Sequence, residues 1–289
     1  MADLRPAAVA GTFYPKMPAE LAATLRACFD DAAGHARASE TVLARSRSFD
    51  GARGARPIPA AFRAKALIVP HAGYAYSGTV AAAAYARLAG GIEPIRRVVL
   101  FGPTHRVPVR GLAVPSAHAF ATPLGNVDVD RAAVELALDL PQVRASDAAH
   151  ALEHSLEVQL PFLQAVLGGF EIVPFAVGEA TPGEVAEVME LLWGGPETLL
   201  VVSSDLSHYH PYVDAQALDR ATAAAILSLS ATLDHEQACG ATPVNALLLS
   251  ARRRALRPVL LDLRNSGDTV ADRSCVVGYA SFAFGAACR

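Results

Sequence analysis

Three histidines stand just after three short apolar runs, and this spacing is the first indication of a functional site. They are His71 after Ala66–Val69, His105 after Arg97–Phe101 and His208 after Thr198–Val202. Such runs are typical of buried strands, and in open α/β sheets ligands bind just beyond the carboxyl ends of the strands. Imidazoles bind metal ions and exchange protons near neutral pH. We therefore expect the three histidines to share one site, whereas one such histidine alone would be read as an ordinary core or surface residue.

The third run continues into a polar segment, SSDLSHY (Ser203–Tyr209), which brings a carboxylate next to His208. We expect Asp205 to accept a hydrogen bond or to hold a cationic partner, and so to orient the site. The alternative is that Asp205 caps the following turn and His208 only fills space.

The segment Glu153–Phe162 (EHSLEVQLPF) supplies a further candidate. We expect it to open a helix that Ser155 caps, with His154 directed into the same cleft as the other histidines. Glu157 and Gln159 either contribute to that cleft or line the helix surface.

Cys239 is the fifth candidate, and two other interpretations of it stay open. A buried, inert thiol is the usual role of a cysteine. The run HEQAC (His235–Cys239) also resembles a zincin helix with cysteine in place of the second histidine, which would put His235 and Cys239 on one helix face.

Composition excludes several classes of protein. The chain has 289 residues, of which 52% are apolar and 18% charged, with a net charge of −3. These values exclude a disordered chain or a disulfide scaffold and disfavour a nucleic-acid partner. The GxSxG, GxxxxGK[ST] and GxGxxG motifs are missing, so we expect no nucleotide cofactor. No apolar run is long enough for a signal peptide or a membrane span, and we expect a cytoplasmic protein.

Strands alternating with helices predict an α/β fold. The predicted strands are Ala66–Val69, Arg97–Phe101, Glu171–Val177, Thr198–Val202, Leu256–Leu263 and Cys275–Phe284. The predicted helices are Pro18–Asp31, Thr79–Leu88, Val134–Leu138, Leu156–Leu167, Pro182–Leu192, Ala215–Leu229 and Val244–Arg254. We expect one domain over residues 1–289, with a central, mostly parallel or mixed sheet and helices on both faces. The Arg-rich stretch 34–63 is expected to be a flexible loop, with a basic contact surface as the alternative.

Eight segments, in this order, resemble the Memo family, whose bacterial and archaeal members are called AmmeMemoRadiSam system protein B. The segments are GTFYP (Gly11–Pro15), PHAGYAYSG (Pro70–Gly78), GPTH (Gly102–His105), TPLG (Thr122–Gly125), EHSLEVQLPFL (Glu153–Leu163), SSDLSHY (Ser203–Tyr209), Cys239-Gly240 and GYAS (Gly278–Ser281). Each is short, but eight in order over about residues 5–284 are specific. The clear departure from the family is the longer Arg-rich insert at 34–63.

The resemblance implies the fold of class III extradiol ring-cleaving dioxygenases. Those enzymes bind ferrous iron through two histidines and a carboxylate, and a further histidine acts as acid/base; in Memo proteins a cysteine replaces the carboxylate. The metal ligands that the resemblance implies here are His71, His105 and Cys239. It places His208 at the acid/base position, with Asp205 and His154 beside it. A Cys239 sulfur more than about 7 Å from both imidazoles would make this ligand assignment wrong.

The thiolate also changes which metals the site would favour. A soft ligand shifts preference from iron toward copper or zinc, although iron still fits. With the resemblance, which links eukaryotic relatives to cell motility signalling and to copper- or iron-linked redox, we expect iron or copper ahead of zinc. Prokaryotic relatives are encoded near a radical-SAM protein, so a functional link to such a protein is implied. An unidentified small molecule or peptide would occupy the cleft.

Three functions fit this site. The first is a metal-dependent redox or dioxygenase-like enzyme in which His208 moves a proton. The second is a metal- or peptide-binding module without catalysis. The third is a zinc hydrolase in which His208 or Asp205 activates a water molecule. The first is our preferred hypothesis.

Overall fold

The computed structural model describes residues 3–46, 62–89, 94–270 and 272–286. Its helices are α1 (Pro18–Ser46), α2 (Tyr74–Tyr85), α3 (Arg131–Leu138), α4 (Asp147–Ala151), α5 (Leu160–Val166), α6 (Pro182–Leu191), α7 (Tyr212–Leu227) and α8 (Ala241–Arg253). Its strands are β1 (Leu4–Arg5), β2 (Ala64–Val69), β3 (Arg97–Pro103), β4 (Leu112–Val114), β5 (Ala119–Thr122), β6 (Gly125–Val129), β7 (Val143–Ala145), β8 (Glu171–Val177), β9 (Thr198–Ser203), β10 (His208–His210), β11 (Leu256–Asn265) and β12 (Val276–Ala286).

The twelve strands form one mixed sheet, which confirms the predicted α/β class. Its main order is β1-β5-β6-β8-β3-β9-β2-β12-β10, with β11 on the other edge of β12 and β4 joining β7 and β8. The pairs from β6 through β8, β3 and β9 to β2 are parallel, whereas β12 runs antiparallel to β2 and β11.

The register brings the ends of three neighbouring parallel strands to one level. Val69 of β2 lies opposite Ser203 of β9, and Phe101 of β3 lies opposite Val202. Residues that follow β2, β3 and β9 therefore emerge at the same edge of the sheet, as the sequence predicted.

The centre of the sheet is buried on both faces. Every residue of β9 is buried, as is nearly all of β3, which is the pattern of strands covered by helices on each side. Helix α8 packs against α6 and contacts β3 and β9, while α1, α2 and α5 pack together. This rigid core fixes the loops at the carboxyl edge.

Several helices begin earlier than predicted: α2 at Tyr74 and not Thr79, α3 at Arg131 and not Val134, α7 at Tyr212 and not Ala215, and α8 at Ala241 and not Val244. Two further differences have identifiable reasons. Helix α1 continues to Ser46 instead of ending at Asp31, so residues 34–46 of the expected loop are helical; the second half of the helix, residues 32–46, holds five alanines, the residue that most favours helix. Residues 47–61 of the predicted loop lie outside the described residues. The helix predicted from Leu156 begins at Leu160, with Pro161 in its first turn, where the missing N–H of proline costs nothing.

The strands that the sequence missed are short. They are β1, β4, β5, β6, β7 and β10, of two to five residues each, too few for an alternating pattern to stand out. None of the helices in the described ranges has the length and apolar character needed to cross a bilayer. The cytoplasmic location stays a prediction.

Candidate metal centre

Three imidazoles converge at the carboxyl edge of the sheet. One ligand atom from each of His71, His105 and His154 lies within 4.8 Å of the other two, a spacing that can hold a metal ion. We call these three residues the imidazole cluster. The ring centroids are 5.2 Å apart for His71 and His105, 5.4 Å for His71 and His154, and 4.6 Å for His105 and His154. The predicted convergence of His71 and His105 is therefore present, and His154 lies as close as they do.

Cys239 reaches the imidazole cluster from a different part of the chain. Its Sγ lies 3.4 Å from Nε2 of His71 and 3.7 Å from the carbonyl oxygen of Asp205. This separation is well inside the limit of about 7 Å beyond which the ligand assignment would be wrong. The loop is held against the end of β9, where the Gly240 N–H donates to Ser204 Oγ at 2.9 Å.

The charge state of the cluster suits metal binding. Burial, and next the neighbouring imidazole of His105, lowers the pKa of His71 to about 3. Burial, and next His71, lowers the pKa of His154 to about 4. Both rings are therefore neutral at pH 7 and offer a lone pair. Burial, reinforced by the charge of Asp205, raises the pKa of Cys239 to about 12, so its thiol is protonated at neutral pH.

A buried carboxylate contacts two imidazoles of the cluster, and its Oε1 lies 3.3 Å from Nδ1 of His154. Glu153 Oε1 lies 2.8 Å from Nδ1 of His105 and accepts the backbone N–H of His154 at 2.9 Å, while Oε2 accepts the His105 N–H at 2.6 Å. Burial alone would raise the pKa of Glu153, but the hydrogen bonds from His105 and Ser155 outweigh it and lower the pKa to about 2. The carboxylate is therefore ionised at neutral pH beside the cluster.

His71 is held from the opposite side by a buried hydroxyl. Its Nδ1 lies 2.9 Å from Ser203 Oγ, the last residue of β9. The same oxygen lies 2.8 Å from Gln159 Nε2 and 2.6 Å from the Ser155 carbonyl. The Gln159 amide is anchored in turn by Tyr85 at 2.8 Å.

Asp205 and His208 follow β9 in the chain, and His208 is the first residue of β10. Asp205 is buried, which raises its pKa, and its Oδ1 accepts the backbone N–H of His71 at 2.7 Å. His208 Nδ1 lies 2.9 Å from the Leu206 carbonyl, so this nitrogen donates and Nε2 stays available. A protonated His208 is close enough to lower the pKa of both His71 and Asp205. Their catalytic roles, like the ligand role of Cys239, stay predictions.

Several local expectations were wrong. Residues 235–239 form turns and not a helix, so His235 and Cys239 share no helix face; His235 is exposed and its Nδ1 lies 3.2 Å from the Cys239 carbonyl. Ser155 caps no helix but donates to the Pro103 carbonyl at 2.9 Å. Glu157 and Gln159 are fully buried and do not line a surface.

Glu153 and Ser203 are the site residues to which sequence reasoning gave no role. Both lie inside the segments EHSLEVQLPFL and SSDLSHY that carry the family resemblance, but the sequence did not indicate that they contact His105 and His71. A polar residue directly before a candidate histidine, or at the end of the strand beside it, was the signal that could have found them.

The comparisons with known proteins point to one family. A family model described as "Memo-like protein" matches residues 5–283. A "MEMO1 family protein" of Ignicoccus hospitalis is 36% identical over 298 residues, covering 97% of this chain and 98% of the relative. One from Aquifex aeolicus is 35% identical and covers 97% of this chain and 99% of the relative. The crystal structure of the uncharacterized protein JW3007 from Escherichia coli K12 aligns with a TM-score of 0.47 and 16% identity over 76% of this chain and 99% of that one, a likeness too weak to bear on function.

Proposed function

The chain belongs to the Memo family, and we propose that it is a metal-dependent redox enzyme of the dioxygenase-like class. In this proposal His71, His105 and Cys239 hold an iron or copper ion. The observation that carries it is the Cys239 thiol 3.4 Å from His71 Nε2, beside the imidazole cluster.

The donor set fits such an ion. Ligand atoms that bind one ion at about 2.0–2.3 Å lie at most about twice that distance apart, and the sulfur–nitrogen separation meets this condition. Two imidazoles and a thiol combine borderline and soft donors, which favours iron and copper over the hard ions magnesium and calcium. When bound, such an ion would supply one-electron and oxygen chemistry that side chains alone lack.

The residues around the ligands would position substrate and protons. His208 keeps Nε2 available because Nδ1 is engaged by the Leu206 carbonyl, and so it can hold or deliver a proton. Asp205 fixes the backbone of His71 through its hydrogen bond at 2.7 Å. His71 and Asp205 are buried, which limits the access of bulk water to this side of the site. A small molecule or peptide is the proposed occupant of the cleft, and a functional link to a radical-SAM protein is part of the proposal.

A zinc hydrolase is the second candidate, and the three-histidine grouping favours it. Three imidazoles are one of the ligand sets of catalytic zinc, with a water at the fourth position. His154 would then be a ligand and not a neighbour of the acid/base. His208 or Asp205 would activate the water.

Metal analysis followed by turnover assays separates these functions. The protein is purified without oxygen, its metal content and oxidation state are measured, and candidate substrates are tested for oxygen uptake. Bound iron or copper with substrate-dependent oxygen uptake is the expected result. Activity that survives without oxygen and with zinc would favour the hydrolase. Tight metal binding without any turnover would favour a binding module.

A further inference from the structure

The Nδ1 atoms of His71 and His105 each face a buried side-chain oxygen, and the other hydrogen bonds of that oxygen decide where the imidazole proton sits. A neutral imidazole carries one proton, on either Nδ1 or Nε2, and only the unprotonated nitrogen binds metal. The hydrogen bonds around Ser203 and Glu153 allow only one tautomer for each ring.

At His71 two backbone carbonyls determine the tautomer. Ser203 Oγ has a single proton, and at 2.6 Å from the Ser155 carbonyl, which only accepts, that proton must lie between the two oxygens. Gln159 turns its NH2 toward Ser203 Oγ at 2.8 Å, since the same nitrogen lies 2.9 Å from the Pro70 carbonyl. Ser203 Oγ can therefore only accept from His71 Nδ1 at 2.9 Å, and Nδ1 carries the proton.

At His105 the backbone N–H donors to Glu153 determine the tautomer. The Glu153 carboxyl group accepts the N–H groups of His105, His154 and Ser155 at 2.6, 2.9 and 3.0 Å. Three backbone N–H donors stabilise the ionised form of a carboxyl group, and an ionised carboxylate can only accept hydrogen bonds. His105 Nδ1, 2.8 Å from Oε1, must donate and so also carries the proton.

We infer that Ser203 and Glu153 are positioning residues that lock His71 and His105 in the Nδ1–H tautomer, so that both present an unprotonated Nε2 to the metal centre. The position of the Cys239 thiol agrees, because it lies 3.4 Å from Nε2 of His71 and not from Nδ1. The consequence for metal binding rests on the proposed function; the tautomers themselves do not. Partners of this kind raise metal affinity by about 10–100-fold in other metal sites.

The direct test is nitrogen NMR on metal-free protein with 15N-labelled histidine. In the wild type both rings should show a protonated Nδ1 and an unprotonated Nε2, with His71→Gln and His105→Gln used only to assign the signals. A protonated Nε2 on either ring would overturn the inference for that residue. This measurement needs no folded variant of Ser203 or Glu153.

Two variants then test the cause. Glu153→Gln replaces an oxygen that must accept by an amide that can also donate, so His105 should shift toward the Nε2–H tautomer. Ser203→Ala removes the oxygen that accepts from His71 Nδ1. The matched control is Ser250→Ala, which deletes another buried hydroxyl, one that has no hydrogen-bond partner among the described residues. In titrations with Co2+, affinity should fall about 10–100-fold in the first two variants and stay unchanged in the control.

The outcomes separate this inference from the proposed function. Unchanged tautomers and unchanged Co2+ affinity in both variants would refute the positioning roles, even if the wild type binds metal well. A wild type that binds no metal would refute the proposed function, while the tautomer pattern would still decide the assignment of Ser203 and Glu153.

Discussion

The thiol of Cys239 distinguishes this site from one built of imidazoles and carboxylates alone. It stands 168 residues from His71 in the chain, yet the two side chains are in contact. A thiolate is a strong ligand for soft metals, whereas a serine hydroxyl stays protonated and binds them poorly.

Cys239→Ser should therefore weaken metal binding far more than folding. Loss of an outer-shell partner costs about 10–100-fold in affinity, and loss of a direct ligand should cost at least as much. The free energy of unfolding should change by about 1 kcal/mol or less, because the side chain keeps its size. Calorimetric titration with metal and urea unfolding measure both quantities. Cys275→Ser, at an exposed cysteine, is the control; full metal affinity in Cys239→Ser would make Cys239 an inert thiol.

His208 is the residue whose replacement should separate proton transfer from metal binding. Gln in its place keeps hydrogen bonding but removes the titrating group. Turnover should fall about a hundredfold or more, since general acid–base catalysis contributes at least about that factor. Metal content, measured on the same samples, should not change. Equal turnover in His208→Gln and wild type would remove His208 as the acid/base.

At the scale of elements, the site depends on loops that pack tightly against the strand ends. A Cβ at Gly240 would lie 2.8 Å from Ser204 Cβ and 2.9 Å from the Ser203 carbonyl oxygen. These distances leave no room for a methyl group, so the loop that carries Cys239 would have to move away from β9.

Gly240→Ala should consequently destabilise the protein and weaken its metal site together. Overpacking of this kind costs about 1–3 kcal/mol of unfolding free energy, and displacement of Cys239 should lower metal affinity. Gly168→Ala is the matched control, since a Cβ there meets nothing within 4 Å. Thermal unfolding and metal titration compare the two; identical behaviour would show that the loop adapts without cost.

The elements that carry His71, His105 and His208 were predictable because each follows a strand whose apolar run is itself a strong local signal. The register of β2, β3 and β9 then brings the residues after them together. The partners of those histidines were not predictable in the same way. The contacts of Glu153 with His105 and of Ser203 with His71 join residues far apart in sequence, and no local pattern encodes such a pairing. The position of Cys239 was implied by family resemblance and not by spacing.

At the scale of the whole molecule, a buried ionic network fastens the amino-terminal segment to the segment that carries His154. Arg5 is paired with Glu157 and donates to the carbonyls of His150 and Glu153 at 2.9 and 2.6 Å. Glu157 also accepts the Tyr14 hydroxyl at 2.5 Å. The far edge of the sheet, where β1 pairs with β5, is thereby connected to the candidate site.

Within this network His150 makes folding sensitive to acid. Its Nε2 lies 3.0 Å from the Ala113 carbonyl, and its buried Nδ1 has no partner among the described residues. Burial lowers its pKa to about 4 from the usual 6.5. Between these two pH values the unfolded chain binds the extra proton and the folded chain does not. The contribution of His150 to the free energy of unfolding is therefore complete above pH 6.5 and is lost as the pH falls toward 4.

Urea unfolding at pH 7 and pH 5 measures this effect. His150 should account for about 2 kcal/mol of the stability lost between these two values, and His150→Gln should remove that part of the loss. His118→Gln, at an exposed histidine, should leave the pH dependence as it is. The same pH dependence in His150→Gln and wild type would show that His150 titrates normally in the folded protein.

The most direct test of the metal centre is X-ray absorption spectroscopy on protein purified without oxygen and loaded with one equivalent of iron or copper. We predict a shell with one sulfur at about 2.3 Å and nitrogens at about 2.0–2.1 Å, and loss of the sulfur in Cys239→Ser. A wild-type spectrum without sulfur, or failure to bind one equivalent of either metal, would contradict a centre formed by His71, His105 and Cys239.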